Sequence, residues 1–214
     1  MTPAAAPKVA IDYDSTAWPF VDALGPDVPR MPDGEVLGFH NCPTWDTVTN
    51  LWMTPDGHDS DAMHAAYEYA HRLENMRRVG FYPGFVDAVR SLRADGFEPL
   101  ILTDVSEQAL AWIKEFLGEH GLGDLDVVRC SAQGKAQWCL DNGAAVLVDD
   151  APHTQTDAVE KGVAVMSFPY LHNADAIAAH GIETAPPGDW AAMLGNVRCA
   201  LAAQADAAAE PVAA

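Results

Sequence analysis

Basic residues are scarce in this chain of 214 residues, which has 12 Lys and Arg against 31 Asp and Glu and a formal net charge of −19. Nonspecific binding to nucleic acids depends on Lys and Arg side chains that neutralise backbone phosphates. The charge therefore argues against a nucleic-acid duplex as a partner. It also repels small phosphorylated molecules, so a site that processes phosphate needs a bound cation to reverse the local potential.

Cysteines and long apolar runs are also scarce. The four cysteines show no Cys-x-x-Cys spacing, and a chain of this length does not depend on disulfides, so we expect reduced thiols. No stretch approaches the roughly 20 apolar residues of a membrane span, and no apolar targeting segment precedes Lys8. We expect a cytoplasmic protein without a membrane partner, and the oligomeric state stays open.

Short apolar runs alternate with amphipathic helical patterns along much of the chain. The runs predict buried strands at 8–12, 98–103 and 145–150, with weaker candidates at 126–130 and 163–168. Helical patterns occupy 84–96 and 106–121, and Ser106 is placed to cap the second. This alternation predicts an α/β fold with a doubly wound parallel sheet, a Rossmann-like core formed by residues 8–19 and 83–202.

Residues 20–82 interrupt the alternation. Residues 24–57 are rich in Pro, Gly and Asp, and an amphipathic helical pattern follows at about 60–78. We predict that the whole interruption forms a small, mainly helical cap. The Ala- and Pro-rich ends, 1–7 and 203–214, are predicted to be flexible tails.

Polar side chains follow the ends of three predicted strands. These are Asp12 and Asp14 after the first strand, Thr103 at the end of the second, and Asp149 and Asp150 after the third. Ligands of open parallel sheets bind outside the carboxyl ends of the strands, where residues distant in sequence meet. We therefore expect these side chains to converge, together with Lys135 near a helix start.

These residue types suit phosphoryl transfer, which requires a nucleophile, a proton for the leaving oxygen, and cations that balance charge. Asp12 offers a carboxylate nucleophile, and Asp14 is close enough to serve as acid and base. Thr103 and Lys135 are suited to bind phosphoryl oxygens. The crowded carboxylates, which include Asp149 and Asp150, would repel one another without a cation, and oxygen ligands suit Mg²⁺.

The same residues resemble the four motifs of the haloacid dehalogenase superfamily of phosphatases, over about residues 8–170. The motifs are Asp-Tyr-Asp-Ser-Thr at 12–16, Thr103, Lys135, and Asp149-Asp150. The resemblance implies that Asp12 is the nucleophile, Asp14 the general acid and base, and Thr103 and Lys135 phosphate-binding residues. It also implies a magnesium site formed by Asp12, the Asp14 main-chain carbonyl and Asp150, with Asp149 close by. A catalytically idle protein that binds a phosphate ligand is an alternative of another class.

A closer resemblance is to the 5′(3′)-deoxyribonucleotidase branch, in the segments YPGFVDAVRSLRADGF, AWIKEFLGEHG and VDDAPHT, and in the insertion after the first motif. Two positions depart from that pattern, because Ser15 replaces a usual Gly and Asp104 replaces a small or apolar residue. The branch implies a nucleoside or deoxynucleoside monophosphate as the substrate. A sugar phosphate or another small phosphorylated metabolite is the alternative.

Four residues are candidates for substrate contacts. Trp18 and Phe20 are placed to line an apolar slot for a nucleobase, together with Phe39, Trp45 and Trp52, although packing within the cap is the simpler interpretation of each ring. Asp104 and His153 follow strands and therefore lie near the predicted catalytic edge of the sheet.

Overall fold

The computed structural model describes residues 6–23, 53–54, 57–58 and 60–209. The strands in this part of the chain are β1 (Lys8–Ile11), β2 (Met53–Thr54), β3 (Gly57–His58), β4 (Glu98–Thr103), β5 (Asp126–Arg129), β6 (Ala144–Val148), β7 (Ala164–Ser167) and β8 (Glu183–Thr184). Six of them form one parallel sheet in the order β5-β4-β1-β6-β7-β8, and β2 pairs with β3 in a separate antiparallel ribbon.

Helices connect the strands and flank the sheet. They are α1 (Phe20–Ala23), α2 (Ser60–Ala70), α3 (Leu73–Val79), α4 (Phe85–Ala94), α5 (Glu107–Glu119), α6 (Lys135–Asn142), α7 (Pro152–Glu160), α8 (Ala174–His180) and α9 (Trp190–Ala209). Ser106 caps α5 as predicted, because its Oγ accepts a hydrogen bond from the Ala109 N–H at 3.2 Å. Within the described residues, we find no helix with the length and apolar character needed to cross a bilayer.

Alternate residues of β1 face two different cores. Val9 and Ile11 lie in the larger core, to which α4, α5 and α9 contribute, whereas Ala10 lies in the smaller core with residues of α6 and α7. Because successive side chains of a strand point to opposite faces, helices cover both faces of the sheet. This arrangement confirms the predicted doubly wound α/β fold.

The strand order reverses beside β1. The chain proceeds from β1 outward to β4 and β5, and then returns to the other side of β1 to form β6, β7 and β8. In open α/β sheets such a reversal leaves a crevice at the carboxyl ends of the two central strands. Asp12 follows β1 and Asp149 follows β6, so both lie at this crevice.

The helix predicted at about 60–78 is two helices in the structure. Helix α2 ends at Ala70 and α3 begins at Leu73, because the Arg72 backbone is extended, with ψ 137°. Side chains satisfy carbonyl groups at the end of α2: His71 Nδ1 contacts Tyr67 O at 2.8 Å, and Asn75 Nδ2 donates to Tyr69 O at 2.6 Å. No Gly or Pro marks this break, so the sequence pattern did not reveal it.

Helix α9 continues to Ala209 and includes residues 203–209, which were predicted to belong to a flexible tail. Alanine has the highest helix propensity, and Gln204 Nε2 donates to Ala145 O at 2.9 Å, which ties the helix to β6. Residues 203–209 are therefore helical, and the flexibility of the tails stays a prediction. The 20–82 cap boundary stays a prediction, since residues 24–52 lie outside the described residues.

Candidate active site

Asp12, Lys135 and Asp149 form a buried cluster of charges at the carboxyl ends of β1 and β6. Lys135 is the first residue of α6, and its Nζ lies 2.8 Å from Asp12 Oδ1 and 2.8 Å from Asp149 Oδ2. Burial alone would lower the pKa of Lys135, but the two carboxylates outweigh it and raise the pKa above its usual value. Lys135 is therefore a fixed cation between two acidic motifs.

The Asp12 carboxyl group is held by its neighbours and crowded by other acids. Its Oδ1 also accepts a hydrogen bond from the Tyr13 N–H at 2.8 Å, and its own N–H donates to Val148 O at 2.8 Å. Burial raises the pKa of Asp12 well above its usual value, against the attraction of Lys135, and the nearby acids raise it further. A second cation here would favour the ionised carboxylate.

Asp150 is supported by three residues of two segments. Its Oδ1 lies 3.4 Å from the Thr16 hydroxyl, and its Oδ2 lies 3.2 Å from His172 Nε2. Asn173 Nδ2 donates to the Asp150 main-chain carbonyl at 3.0 Å and also to Phe168 O at 3.0 Å. Burial raises the pKa of Asp150, while the contact with His172 acts in the opposite direction.

The carboxylates of Asp12, Asp149 and Asp150 fit a shared metal ion. One oxygen from each lies within 4.8 Å of the others, and all three residues are buried. Mg²⁺ prefers oxygen ligands of this kind, and a divalent ion offsets the repulsion that burial imposes on three acids. The donor set therefore suits a divalent ion, and the ligand role of each residue, including the Asp14 main-chain carbonyl, stays a prediction.

Asp14 has a different environment from the other three acids. Its side chain is 21% exposed, compared with 10% for Asp12, 0% for Asp149 and 5% for Asp150. Its Oδ1 lies 2.8 Å from Nε2 of the buried His71. Burial lowers the pKa of His71, but the Asp14 charge and the hydrogen bonds raise it above its ordinary value.

Thr103 and Asp104 lie where β4 ends. Thr103 is buried in the strand next to β1, and its carbonyl accepts a hydrogen bond from the Cys130 N–H at 2.9 Å. Asp104 is exposed, and its Oδ2 accepts a hydrogen bond from the Ala132 N–H at 3.0 Å. Ala132 begins the 3₁₀ turn that precedes Lys135, so Asp104 fixes that turn. Roles of both residues toward a substrate stay predictions.

The candidate substrate residues Trp18 and Phe20 are packed inside the protein. Trp18 is 0% exposed and stacks on Tyr13 with ring centroids 5.6 Å apart, and Phe20 is 4% exposed and lies 4.7 Å from the Tyr67 ring. These contacts agree with the packing interpretation. His153 is an exposed residue of α7, and its substrate contact also stays a prediction. Phe39, Trp45 and Trp52 lie outside the described residues.

The turn after Asp14 contains an unusual backbone conformation. Ser15 has φ 60°, in the left-handed region that favours glycine. Its N–H donates to Trp18 O at 2.7 Å, and its carbonyl accepts a hydrogen bond from the Tyr170 hydroxyl at 2.9 Å. Main-chain contacts on both sides of Ser15 therefore hold this conformation.

Comparisons with known proteins identify the fold. No family model matches the chain, and no curated protein matches its sequence. A haloacid dehalogenase family hydrolase from Deinococcus radiodurans R1, solved with bound phosphate and sodium, is 16% identical with a TM-score of 0.58, over 92% of this chain and 97% of that one. A haloacid dehalogenase-like protein of unknown function from Agrobacterium tumefaciens C58 is 16% identical with a TM-score of 0.61, over 94% and 100%. This chain has the haloacid dehalogenase-like fold.

The haloacid dehalogenase-like fold confirms the architecture that the motifs implied. A further structure with this fold is described as a predicted phosphoglycolate phosphatase from Haemophilus somnus 129pt; it is 12% identical with a TM-score of 0.52, over 88% of this chain and 97% of that one. Identities this low establish the fold and leave the nucleotidase resemblance as a prediction.

Within this haloacid dehalogenase-like fold, the predicted motif residues converge. Lys135 joins Asp12 to Asp149, Thr16 reaches Asp150, and Thr103 ends the strand beside β1. The sequence interpretation missed His71. Its position four residues after Tyr67, on the inward face of the predicted helix, was the available signal.

Proposed function

We propose that this protein is a magnesium-dependent phosphomonoester hydrolase that forms an aspartyl-phosphate on Asp12. The observation that carries this proposal is the position of Lys135 Nζ, 2.8 Å from both Asp12 and Asp149, at the crevice of a haloacid dehalogenase-like sheet. A buried cation there stabilises the negative charge of a phosphoryl group as it approaches the nucleophile. Residues of three of the four motifs thus meet in one arrangement.

Asp12 is the nucleophile in this proposal. Lys135 and the Tyr13 N–H engage Oδ1, so we assign Oδ2 to the attack on phosphorus. The new Oδ2–P bond forms as the bond from phosphorus to the ester oxygen breaks, and Asp14 gives a proton to that oxygen. Asp14 then takes a proton from water, which attacks phosphorus, releases inorganic phosphate and restores Asp12. The exposure of Asp14 agrees with contact with both the leaving alcohol and water.

Asp12, the Asp14 main-chain carbonyl and Asp150 are the proposed ligands of Mg²⁺. Asp149 already accepts hydrogen bonds from Lys135 at 2.8 Å and from the Ala151 N–H at 2.9 Å. The side-chain contacts of Asp150 are longer, at 3.2 and 3.4 Å, so its oxygens are better placed to bind a cation directly. When bound, Mg²⁺ balances the charge of the carboxylates and of the transferring phosphoryl group.

A nucleoside or deoxynucleoside monophosphate is the proposed substrate, because of the resemblance to the nucleotidase branch. A small phosphorylated metabolite is the second candidate. The packing of Trp18 and Phe20 favours this second class, because neither ring face is open to a base. The relative described as a predicted phosphoglycolate phosphatase has the same fold. Action on a small substrate in the cytoplasm, without a membrane partner, belongs to the same proposal.

A panel of phosphate esters tests the function directly. Purified protein is assayed for phosphate release from nucleoside and deoxynucleoside monophosphates, sugar phosphates and phosphoglycolate, each with Mg²⁺ and with EDTA. We expect magnesium-dependent release, with discrimination by base and sugar if a nucleotide is the substrate. Binding of phosphate esters without turnover of any of them would instead identify an idle binding protein.

A further inference from the structure

We propose that His71 is a positioning residue that orients the Asp14 carboxyl group for proton transfer to the leaving oxygen. This inference rests on the proposed hydrolase function and assigns a role to a residue outside the four motifs. His71 follows α2, and Asp14 follows β1, so the contact joins the segment between the first two motifs to the reacting edge of the sheet.

Two hydrogen bonds fix the His71 ring. Nδ1 lies 2.8 Å from Tyr67 O, and Nε2 lies 2.8 Å from Asp14 Oδ1. A carbonyl oxygen only accepts hydrogen bonds, so Nδ1 carries a proton and donates it to Tyr67. Nε2 is then the nitrogen that faces Asp14. A flip of the imidazole ring would break both hydrogen bonds.

Aromatic packing restricts the ring further. The His71 side chain is 2% exposed, and its centroid lies 5.6 Å from the Trp18 ring and 5.5 Å from the Phe20 ring. Apolar rings therefore surround the imidazole, while its Nε2 edge points to Asp14. The break between α2 and α3 places His71 in this position.

The contact with His71 has a specific consequence for Asp14. His71 engages Oδ1, and the Asp14 side chain is 21% exposed, so it is more accessible than the other three acids of the site. We assign Oδ2 to the exchange of protons with the leaving oxygen and with water. Without His71 the carboxyl group would rotate, and a general acid or base contributes about 10²–10⁴-fold to rate only when it is held in reach.

Two amide variants separate this role from general support of the fold. In His71→Gln the side-chain amide reaches the place of Nε2, whereas in His71→Asn it reaches the place of Nδ1 and falls short of Asp14. Phe20→Leu is the packing control, because it alters the same aromatic cluster and leaves both hydrogen bonds of His71 in place.

The measurement compares kcat/KM for two monoesters, 4-nitrophenyl phosphate and an alkyl phosphate. Mg²⁺ is present in both assays. The value of kcat/KM reports the steps up to release of the alcohol. Of the two esters, only the alkyl phosphate has an alkoxide leaving group that needs a proton from Asp14. We expect His71→Asn to lose about 100-fold on the alkyl ester and less than about fivefold on the aryl ester. His71→Gln recovers most of this loss, and Phe20→Leu affects both esters equally.

Equal losses on the two esters in His71→Asn, or no recovery in His71→Gln, would show that His71 supports the fold alone and would overturn the inference. A wild-type protein that hydrolyses neither ester nor any member of the wider panel would overturn the proposed function itself, and the inference with it. The wild-type assay therefore distinguishes the two failures.

Discussion

The Lys135 ammonium group lies 2.8 Å from Asp12 Oδ1 in the interior of the protein. Asp149 contacts the same ammonium group, so two carboxylates share one lysine. Removing one member of a buried ion cluster leaves the others without compensation, which is more costly than removing an exposed ion pair. Loss of Lys135 should therefore affect stability as well as the proposed chemistry.

Replacement of Lys135 by Met should lower both the free energy of unfolding and the activity. We expect a loss of about 3–5 kcal/mol, because Asp12 and Asp149 would remain buried beside each other. Urea denaturation followed by circular dichroism gives this value. Lys161→Met is the matched control, since Lys161 pairs with Asp157 on the surface of α7, where an ion pair contributes about 0–1 kcal/mol. Equal effects of the two substitutions would contradict the prediction.

Replacement of Asp12 by Asn should abolish turnover while the protein stays folded. The amide is similar in size to the carboxylate but is a poor nucleophile, so we expect kcat to fall by about 10⁴-fold or more. Acid-quenched protein from reactions with a ³²P-labelled ester should carry label in the wild type and none in the variant. Asp22→Asn, at an exposed position of α1, is the control for the same chemical change. Labelled Asp12→Asn protein would exclude Asp12 as the site of the covalent intermediate.

Much of this site was predictable from the sequence, because polar residues directly follow apolar runs. The strand at 98–103 was predicted with its observed bounds, and Thr103, Asp12 and Asp149 lie at the strand ends as expected. This succeeded because a buried parallel strand is a short apolar run, and its carboxyl end has a fixed place in the sheet.

Features that depend on tertiary contacts were not predictable in the same way. Strand β8 has only two residues, and it is defined by its pairing with β7. The helix break at His71 depends on side chains that bind carbonyl groups of α2. The contact between His71 and Asp14 joins residues far apart in sequence, and no local sequence pattern in either segment indicates this contact.

Removal of metal should stop the reaction and lower the melting temperature. Ligands that bind only the native state stabilise it, by about 2.7 kcal/mol when their concentration is 100-fold above Kd. We therefore expect Mg²⁺ to raise the melting temperature of EDTA-treated protein and to restore activity. Asp150→Asn should reduce the melting-temperature shift, because it removes a proposed ligand from the carboxylate cluster. Activity that persists unchanged in EDTA would remove the metal from the mechanism.

Replacement of Ser15 by Gly should increase stability without loss of activity. Ser15 has φ 60°, and a residue with a Cβ atom in this region costs roughly 1–2 kcal/mol, whereas Gly adopts it freely. Both known contacts of Ser15, with Trp18 and Tyr170, use its main chain and persist in the variant. Greater flexibility of Gly in the unfolded chain offsets part of the gain, so we expect an increase of about 1 kcal/mol. Ser15→Ala keeps the Cβ atom and removes the hydroxyl group, which makes it the matched control in urea denaturation. A Gly variant no more stable than the Ala variant would show that the turn tolerates a side chain without strain.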